Sequence, residues 1–104
     1  MINKNIISIA YTLLIFIVQI RILVAMETLR NEKMLKAFGK HFKKLREEKK
    51  ISQEKLGLNA GSYQSTVIRI EQGKADPKLS TLIALADAMG IELSDLMDFF
   101  EKKS

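Results

Sequence analysis

The sequence lacks cysteine and tryptophan, and its 104 residues include one proline, five glycines and one histidine. Without cysteine, the chain forms no disulfide scaffold, no cysteine-ligated zinc site and no thiol nucleophile. The lone His41 excludes His-paired metal sites and most catalytic triads. The scarcity of proline and glycine argues against collagen-like, linker-like and turn-rich all-β chains. Hydrophobic residues reach 47%, so the composition favours a small helical protein that binds rather than catalyses.

The N-terminal segment 1–26 differs from the rest of the chain because it is apolar and carries few charges. The stretch from Ile6 to Val18 contains nothing more polar than serine, threonine and tyrosine. It extends to Met26 if Gln19 and Arg21 are tolerated within it. A membrane span needs about 20 apolar residues, a length that only the extended stretch reaches. We therefore predict an extra N-terminal apolar helix within residues 1–26, followed by a separate domain over 27–104.

Four interpretations of residues 1–26 are open. A membrane anchor would leave the domain in the cytoplasm, because a single Lys4 precedes the apolar stretch and a basic cluster follows it. That cluster consists of Arg30, Lys33, Lys36 and Lys40. A signal peptide would be cleaved after Leu23-Val24-Ala25, which lacks the usual small first residue. A misassigned start would place the true N-terminus at Met26, since the many isoleucines before it are typical of translated AT-rich DNA. In the fourth interpretation, the apolar helix packs on the domain or on a second copy.

Charge is unevenly distributed along the predicted domain. Residues 33–50 carry eight Lys or Arg against two Glu, whereas residues 79–101 carry five Asp or Glu and no Lys or Arg. A domain with one basic and one acidic end turns its basic end towards a polyanion. This pattern favours a polyanionic partner.

Apolar residues recur at helical spacing and predict five short helices with no sheet. Leu35, Phe38, Phe42 and Leu45, for example, lie three or four residues apart. The predicted helices cover 33–49, 53–59, 63–72, 79–89 and 93–101. Ser52 is the predicted N-cap of the second helix, and three glycines, at positions 61, 73 and 90, are predicted to end the second, third and fourth helices. The predicted fold is all-α, a compact five-helix domain.

The two C-terminal helices are predicted to bury one apolar face each. These faces consist of Leu79, Leu82, Ile83, Leu85, Ala86 and Met89 in the fourth helix, and Leu93, Leu96, Met97 and Phe100 in the fifth. Phe99 stands off the second face, so we expect one more exposed aromatic side chain than the fold needs.

Residues 53–59 and 63–72 form a predicted helix-turn-helix, because the turn between them is short and contains Gly61. In such a unit the second helix enters the major groove and the first crosses the phosphate backbone. Over about residues 34–100, the sequence resembles the Cro-type or Xre-type helix-turn-helix family. The resemblance is carried by FGKHFKKLREEKKISQEKL, STVIRIEQGKADP and LSTLIALADAMGIELSDLM. It implies a lambda-repressor-like domain that binds double-stranded DNA as a homodimer, without a cofactor.

The resemblance also implies which residues contact DNA. Its base-reading positions fall on Gln64, Ser65, Ile68 and Arg69. These residue types suit the task, since glutamine pairs with adenine, arginine with guanine, and isoleucine meets a thymine methyl group. Phosphate contacts are expected from Gln53, Tyr63, Lys74 and Lys43.

Two further positions bear on architecture. By resemblance, Arg46 and Glu71 form a partly buried salt bridge between the first and third helices. Gly57 stands where the family usually has alanine, at the crossing of the second and third helices. We expect it to fit there sterically, at a cost of about 1 kcal/mol in helix propensity relative to alanine.

The predicted function is therefore a sequence-specific transcriptional regulator, a repressor, with no catalytic residues and no metal site. Its expected location is the cytoplasm, on DNA. An antitoxin, or a membrane-tethered interaction or scaffold module with the same fold, is the alternative. In the tethered form, residues 6–26 would cross the inner membrane with the domain facing the cytoplasm. Fold resemblance alone does not choose among these functions.

Overall fold

The computed structural model describes residues 4–99, and these residues form five helices and no strand. The helices are α1 (Lys4–Glu48), α2 (Gln53–Asn59), α3 (Gln64–Glu71), α4 (Leu79–Met89) and α5 (Leu93–Met97). The predicted all-α fold is confirmed. The chain divides into two compact units, with the boundary between Asn31 and Glu32.

Within the first unit, the described residues 4–31 are helical and have no core. Every described residue from Lys4 to Asn31 is exposed, including the apolar side chains on all sides of the helix. The hydroxyl groups of Thr12 and Thr28 each donate to the backbone carbonyl four residues earlier, at 2.9 Å. An 18-residue window of α1 near the N-terminus has a mean hydropathy of 2.3. By length and composition, this helix is long and apolar enough to cross a membrane.

The separate first helix predicted over 33–49 is wrong, because α1 begins at Lys4 and runs without a break to Glu48. The physical reason is that hydropathy and helicity are different properties. Although the sequence changes from apolar to charged near Met26, no proline interrupts residues 4–48, and Gly39 is the one glycine among them. Most residues around the change are good helix formers, so the backbone continues as a helix across it.

One hydrophobic cluster holds the second unit together. All five helices contribute buried apolar side chains to it. They are Phe38, Phe42, Leu56, Val67, Ile70, Leu82, Leu85, Ala86, Met89 and Leu96. Leu79 and Ile83, predicted to be buried in the fourth helix, are instead 64% and 44% exposed. The buried stripe of α4 is narrower than the apolar pattern, since α4 is apolar around more of its circumference than the core covers.

The prediction for the C-terminal helix is wrong in three respects. α5 ends at Met97 rather than 101, and the Met97 side chain is exposed rather than buried. Phe99 is not a surplus exposed aromatic, because it packs against the core with its ring edge-on to Phe38, at a centroid distance of 5.3 Å. Once the helix has ended, its 3.6-residue period no longer decides which side chains face the core. Phe100, predicted on the apolar face, lies outside the described residues.

Four helices end in the same hydrogen-bonded turn, in which one residue adopts a left-handed backbone conformation. At the ends of α2, α3 and α4 this residue is a glycine, as the sequence predicts. At the end of α1 it is Lys50, with φ of 56°. The next amide, that of Ile51, donates to the Arg46 carbonyl at 3.3 Å. Ser52 then caps α2, because its hydroxyl accepts a hydrogen bond from the Lys55 backbone amide at 3.1 Å.

Candidate nucleic-acid interface

α2 and α3 approach so closely that their backbones are nearly in contact at Gly57. A Cβ atom at this position would lie 2.6 Å from the Tyr63 carbonyl carbon and 2.8 Å from the Gln64 amide nitrogen. The prediction that glycine fits here holds. Because glycine has no side chain, α2 packs directly against the backbone at the start of α3.

The two sides of α3 differ sharply in burial. Val67 and Ile70 are almost completely buried and fix the helix to the core. Gln64 and Ser65, in its first turn, are exposed, as is Arg69 further along. Ile68, the fourth predicted base-reading residue, is half-buried rather than exposed. It lies where α3 turns from its core side to its exposed side.

Tyr63 precedes α3 as its N-cap residue, with an extended backbone conformation. Its backbone carbonyl accepts from the Thr66 amide at 3.1 Å, and its side chain is 77% exposed. A large aromatic side chain with this exposure, next to the exposed first turn of α3, is available to a partner.

A buried ion pair joins α1 to the last residue of α3. The Arg46 Nε donates to the Glu71 Oε1 at 2.7 Å, and the two side chains are only 11% and 4% exposed. Arg46 also donates from Nη1 to the Ile51 backbone carbonyl at 2.8 Å. The ion pair therefore fixes α1, the loop before α2 and the end of α3 relative to one another.

The second carboxylate oxygen of Glu71 accepts a hydrogen bond from Gln53, a residue expected to contact a DNA phosphate. The Gln53 Nε2 donates to the Glu71 Oε2 at 2.7 Å, which links the first residue of α2 to the same carboxylate. We call these three side chains the Arg46–Glu71–Gln53 network. The sequence pattern pairs the first two residues and misses the third. No local signal connects Gln53 to Glu71, because the contact depends on how α2 and α3 pack.

The three predicted cationic contacts lie at two places in the fold. Arg69 donates from Nη2 to the Lys74 backbone carbonyl at 3.4 Å, which brings these two residues together after the end of α3. Lys43 instead lies on α1, one turn before Glu47, at 3.9 Å from its carboxylate. Both partners of that pair are 57% exposed, so the pair contributes little to stability. All three cationic side chains are exposed.

Comparisons with known proteins agree with this geometry. A family model described as "Helix-turn-helix" matches residues 42–96. The crystal structure of the restriction-modification controller protein C.AhdI from Aeromonas hydrophila superimposes with a TM-score of 0.60 at 34% sequence identity. The match covers 62% of this chain and 97% of the controller protein.

Similar sequences carry related names. An HTH-type transcriptional regulator of Sinorhizobium fredii is 34% identical over 64 residues, which cover 62% of this chain and 83% of that regulator. The immunity repressor protein of Bacillus phage phi105 is 37% identical, over 57% of this chain and 41% of the repressor. The HTH-type transcriptional repressor RghR of Bacillus subtilis is 36% identical, over 61% of this chain and 47% of its own length. The matched region thus spans less than half of these two repressors.

The helix pair, the buried stripe of α3 and the matched residues 42–96 all point to one family. The predicted resemblance is confirmed, and the chain belongs to the helix-turn-helix family of transcriptional regulators.

Proposed function

We propose that this DNA-binding transcriptional regulator is a repressor that reads the major groove with α3. The observation that carries the proposal is the exposed, polar first turn of α3 on a helix whose other side is anchored by Val67 and Ile70. A recognition helix needs this combination, because its N-terminal residues contact base edges while the rest of the domain holds it in position.

Four residues of α3 are proposed to contact bases. Gln64 is suited to adenine and Arg69 to guanine, because each forms two hydrogen bonds with the edge of its base. Ser65 adds a hydroxyl that donates or accepts, and the exposed part of Ile68 provides an apolar contact for a thymine methyl group. Arg69 still has donors available for DNA, since the Lys74 carbonyl engages only one of its nitrogens.

Phosphate contacts are proposed for residues around this helix. Lys74 follows α3 and Tyr63 precedes it, so the two would contact the backbone on either side of the reading surface. Gln53 is the first residue of α2 and would add a contact there, and Lys43 on α1 would extend the footprint. Such contacts set position and affinity rather than sequence preference.

A homodimer is proposed as the active form. The exposed apolar side chains of Leu79, Ile83 and Met97 support this proposal, because α4 and α5 bury only part of their apolar surface within the chain. In a two-fold dimer, two recognition helices would address half-sites one helical turn of DNA apart.

Base reading and phosphate binding give different mutational signatures. Gln64→Ala should lower affinity for the preferred site by about 1–3 kcal/mol and hardly change affinity for a scrambled duplex. Lys74→Ala should weaken both duplexes alike and reduce the slope of log affinity against log salt by about one. The measurement is a salt titration of binding by wild type and both variants, on a site selected from random duplexes and on its scrambled version.

Asn59→Ala, at an exposed position with no proposed DNA contact, serves as the control and should leave both affinities unchanged. Equal losses on both duplexes for Gln64→Ala would remove base reading from α3. If selection enriches no site at all, an antitoxin or another interaction module with this fold becomes the better account.

A membrane-tethered regulator is the second candidate function. It is favoured by residues 6–26, which are exposed around the whole helix and match the thickness of a bilayer at about 1.5 Å per residue. The hydroxyl of Thr12 within this stretch is already satisfied by the Ser8 carbonyl, as a polar group in lipid must be. Lys4 alone precedes the stretch, whereas the cluster of Arg30, Lys33, Lys36 and Lys40 follows it, which would leave the DNA-binding unit in the cytoplasm.

Removing residues 1–25 separates the two candidate roles. We expect residues 26–104 to form a helical, cooperatively unfolding domain, because the hydrophobic core lies entirely after Asn31. The full chain, but not this shorter one, should float with lipid vesicles in a density gradient. Circular dichroism and flotation measure the two effects. Aggregation of residues 26–104 would mean that the apolar segment contributes to folding, and a full chain that stays out of the vesicle fraction would contradict the tether.

A further inference from the structure

Gln53 binds a buried carboxylate and is also one of the residues proposed to contact a phosphate. Its Nε2 donates to the Glu71 Oε2 at 2.7 Å, and its side chain is only half-buried. A glutamine amide nitrogen carries two hydrogens. One of them is committed to Glu71, so the second is the one left for an external acceptor.

The position calls for a group that meets two anions. One carboxylate oxygen of Glu71 accepts from Arg46, so its other oxygen and a phosphate near the start of α2 would each need a further donor. A neutral amide with two donors can bind a carboxylate with one hydrogen and a phosphate with the other. A carboxylate at position 53 would add repulsion, and an apolar side chain would leave the Glu71 Oε2 with one partner fewer.

We propose that Glu71 is a positioning residue for DNA binding: it holds the Gln53 amide so that its second hydrogen points to a backbone phosphate. The inference rests on the proposed function and deepens it. It gives Glu71 a second role besides the ion pair with Arg46, and it connects the fixed end of α3 to the first residue of α2.

The direction in which the amide points makes the proposal testable with Glu71→Gln. Arg46 only donates, so the new glutamine must turn its oxygen towards the Arg46 guanidinium and its nitrogen towards Gln53. Two donors would then face each other. Gln53 relieves this conflict by turning its amide over, so that its oxygen accepts from position 71. Its nitrogen then points away from the direction proposed for the phosphate.

A double-mutant cycle measures the coupling between the two positions. Affinity for a random duplex is determined for wild type, Gln53→Met, Glu71→Gln and the double variant, each confirmed as folded by its thermal transition. Gln53→Met should weaken wild type about tenfold, since a hydrogen bond to a charged group is lost. In the Glu71→Gln background the same change should cost less than about twofold. Glu54→Gln, an exposed carboxylate on the next residue of α2, gives the matched background in which the tenfold loss should persist.

The possible results distinguish the positioning role of Glu71 from DNA binding itself. A tenfold loss from Gln53→Met in all three backgrounds would overturn the positioning role while leaving DNA binding intact. No loss in wild type would show that Gln53 holds no phosphate, which also overturns the positioning role. Failure of wild type to bind any duplex would reject the proposed function itself.

Nuclear magnetic resonance tests the same inference without a Glu71 variant. In the free protein, one Gln53 side-chain amide proton should show the downfield shift of a bond to a carboxylate. Addition of random duplex should move the other proton and leave the first in place. Loss of the downfield shift on binding would mean that Gln53 leaves Glu71 to reach DNA, and the positioning role would be wrong.

Discussion

Replacing Glu71 by alanine is expected to lower the free energy of unfolding by about 3–5 kcal/mol, because the change strands a buried charge. The Arg46 side chain is only 11% exposed, and Glu71 provides its ionic partner at 2.7 Å. Without that carboxylate, the guanidinium retains the Ile51 carbonyl at 2.8 Å and a marginal contact to Glu47 at 3.9 Å. Neither replaces a buried counter-charge. Gln53 also loses its acceptor, which adds to the cost.

Urea denaturation of wild type and variants measures this effect. Removing both charges with Arg46→Met and Glu71→Leu should recover most of the lost stability, since apolar groups of similar volume replace a buried ion pair at little cost. Lys43→Ala provides the comparison, because Lys43 belongs to an exposed pair. This substitution should lower the free energy of unfolding by only about 0–1 kcal/mol. An unchanged midpoint for Glu71→Ala would contradict a stabilising role for the buried pair.

Features that depend on neighbouring residues could be read directly from the sequence. The apolar spacing of Phe38 and Phe42 identified the buried side of α1, because residues four apart lie on the same side of a helix. Gly61, Gly73 and Gly90 marked three helix ends, since a left-handed residue is needed there and glycine adopts that conformation without strain. These signals depend on residues close together in the sequence, and tertiary packing did not change the structures that they predict.

Other features depend on packing that no local pattern records. Lys50 takes the left-handed position at the end of α1, where a glycine would be the ordinary signal. Phe99 reaches the core because α5 ends two residues before it, and helix ends are the part of a sequence pattern that is least well defined. The bond between Gln53 and Glu71 joins two different helices. It could be known only after the crossing of α2 and α3 was known.

The candidate site shows the same division. Val67 and Ile70 were identifiable as the buried side of α3, which left Gln64 and Ser65 exposed by geometry alone. Their assignment to base reading came from family resemblance, because an exposed glutamine or serine has no distinguishing local signal. Ile68 shows that the residues of α3 do not divide cleanly into buried and exposed ones. Its burial is intermediate between that of Val67 and that of Gln64.

Gly39→Ala is expected to destabilise the protein even though it improves the helix. In the interior of an exposed helix, alanine is about 1 kcal/mol more favourable than glycine. In α1, however, a Cβ at position 39 would lie 2.5 Å from the Ile70 carbonyl oxygen and 2.7 Å from that of Glu71. These are backbone atoms at the end of α3, and they cannot rotate away. The helices must therefore move apart, which disturbs the core and the 2.7 Å bond between Arg46 and Glu71.

We expect a net loss of about 1–3 kcal/mol in the free energy of unfolding, measured by urea denaturation, because overpacking of this kind outweighs the gain in helix propensity. Ala37→Gly, two residues earlier at an exposed position of the same helix, is the matched control. It should cost about 1 kcal/mol through propensity alone. If the two positions were equivalent, Gly39→Ala would stabilise the protein by that amount. A stabilised Gly39→Ala variant would therefore mean that α1 and α3 are far enough apart at position 39 to accommodate a Cβ atom. The contact at Gly39 would then not fix the position of α3.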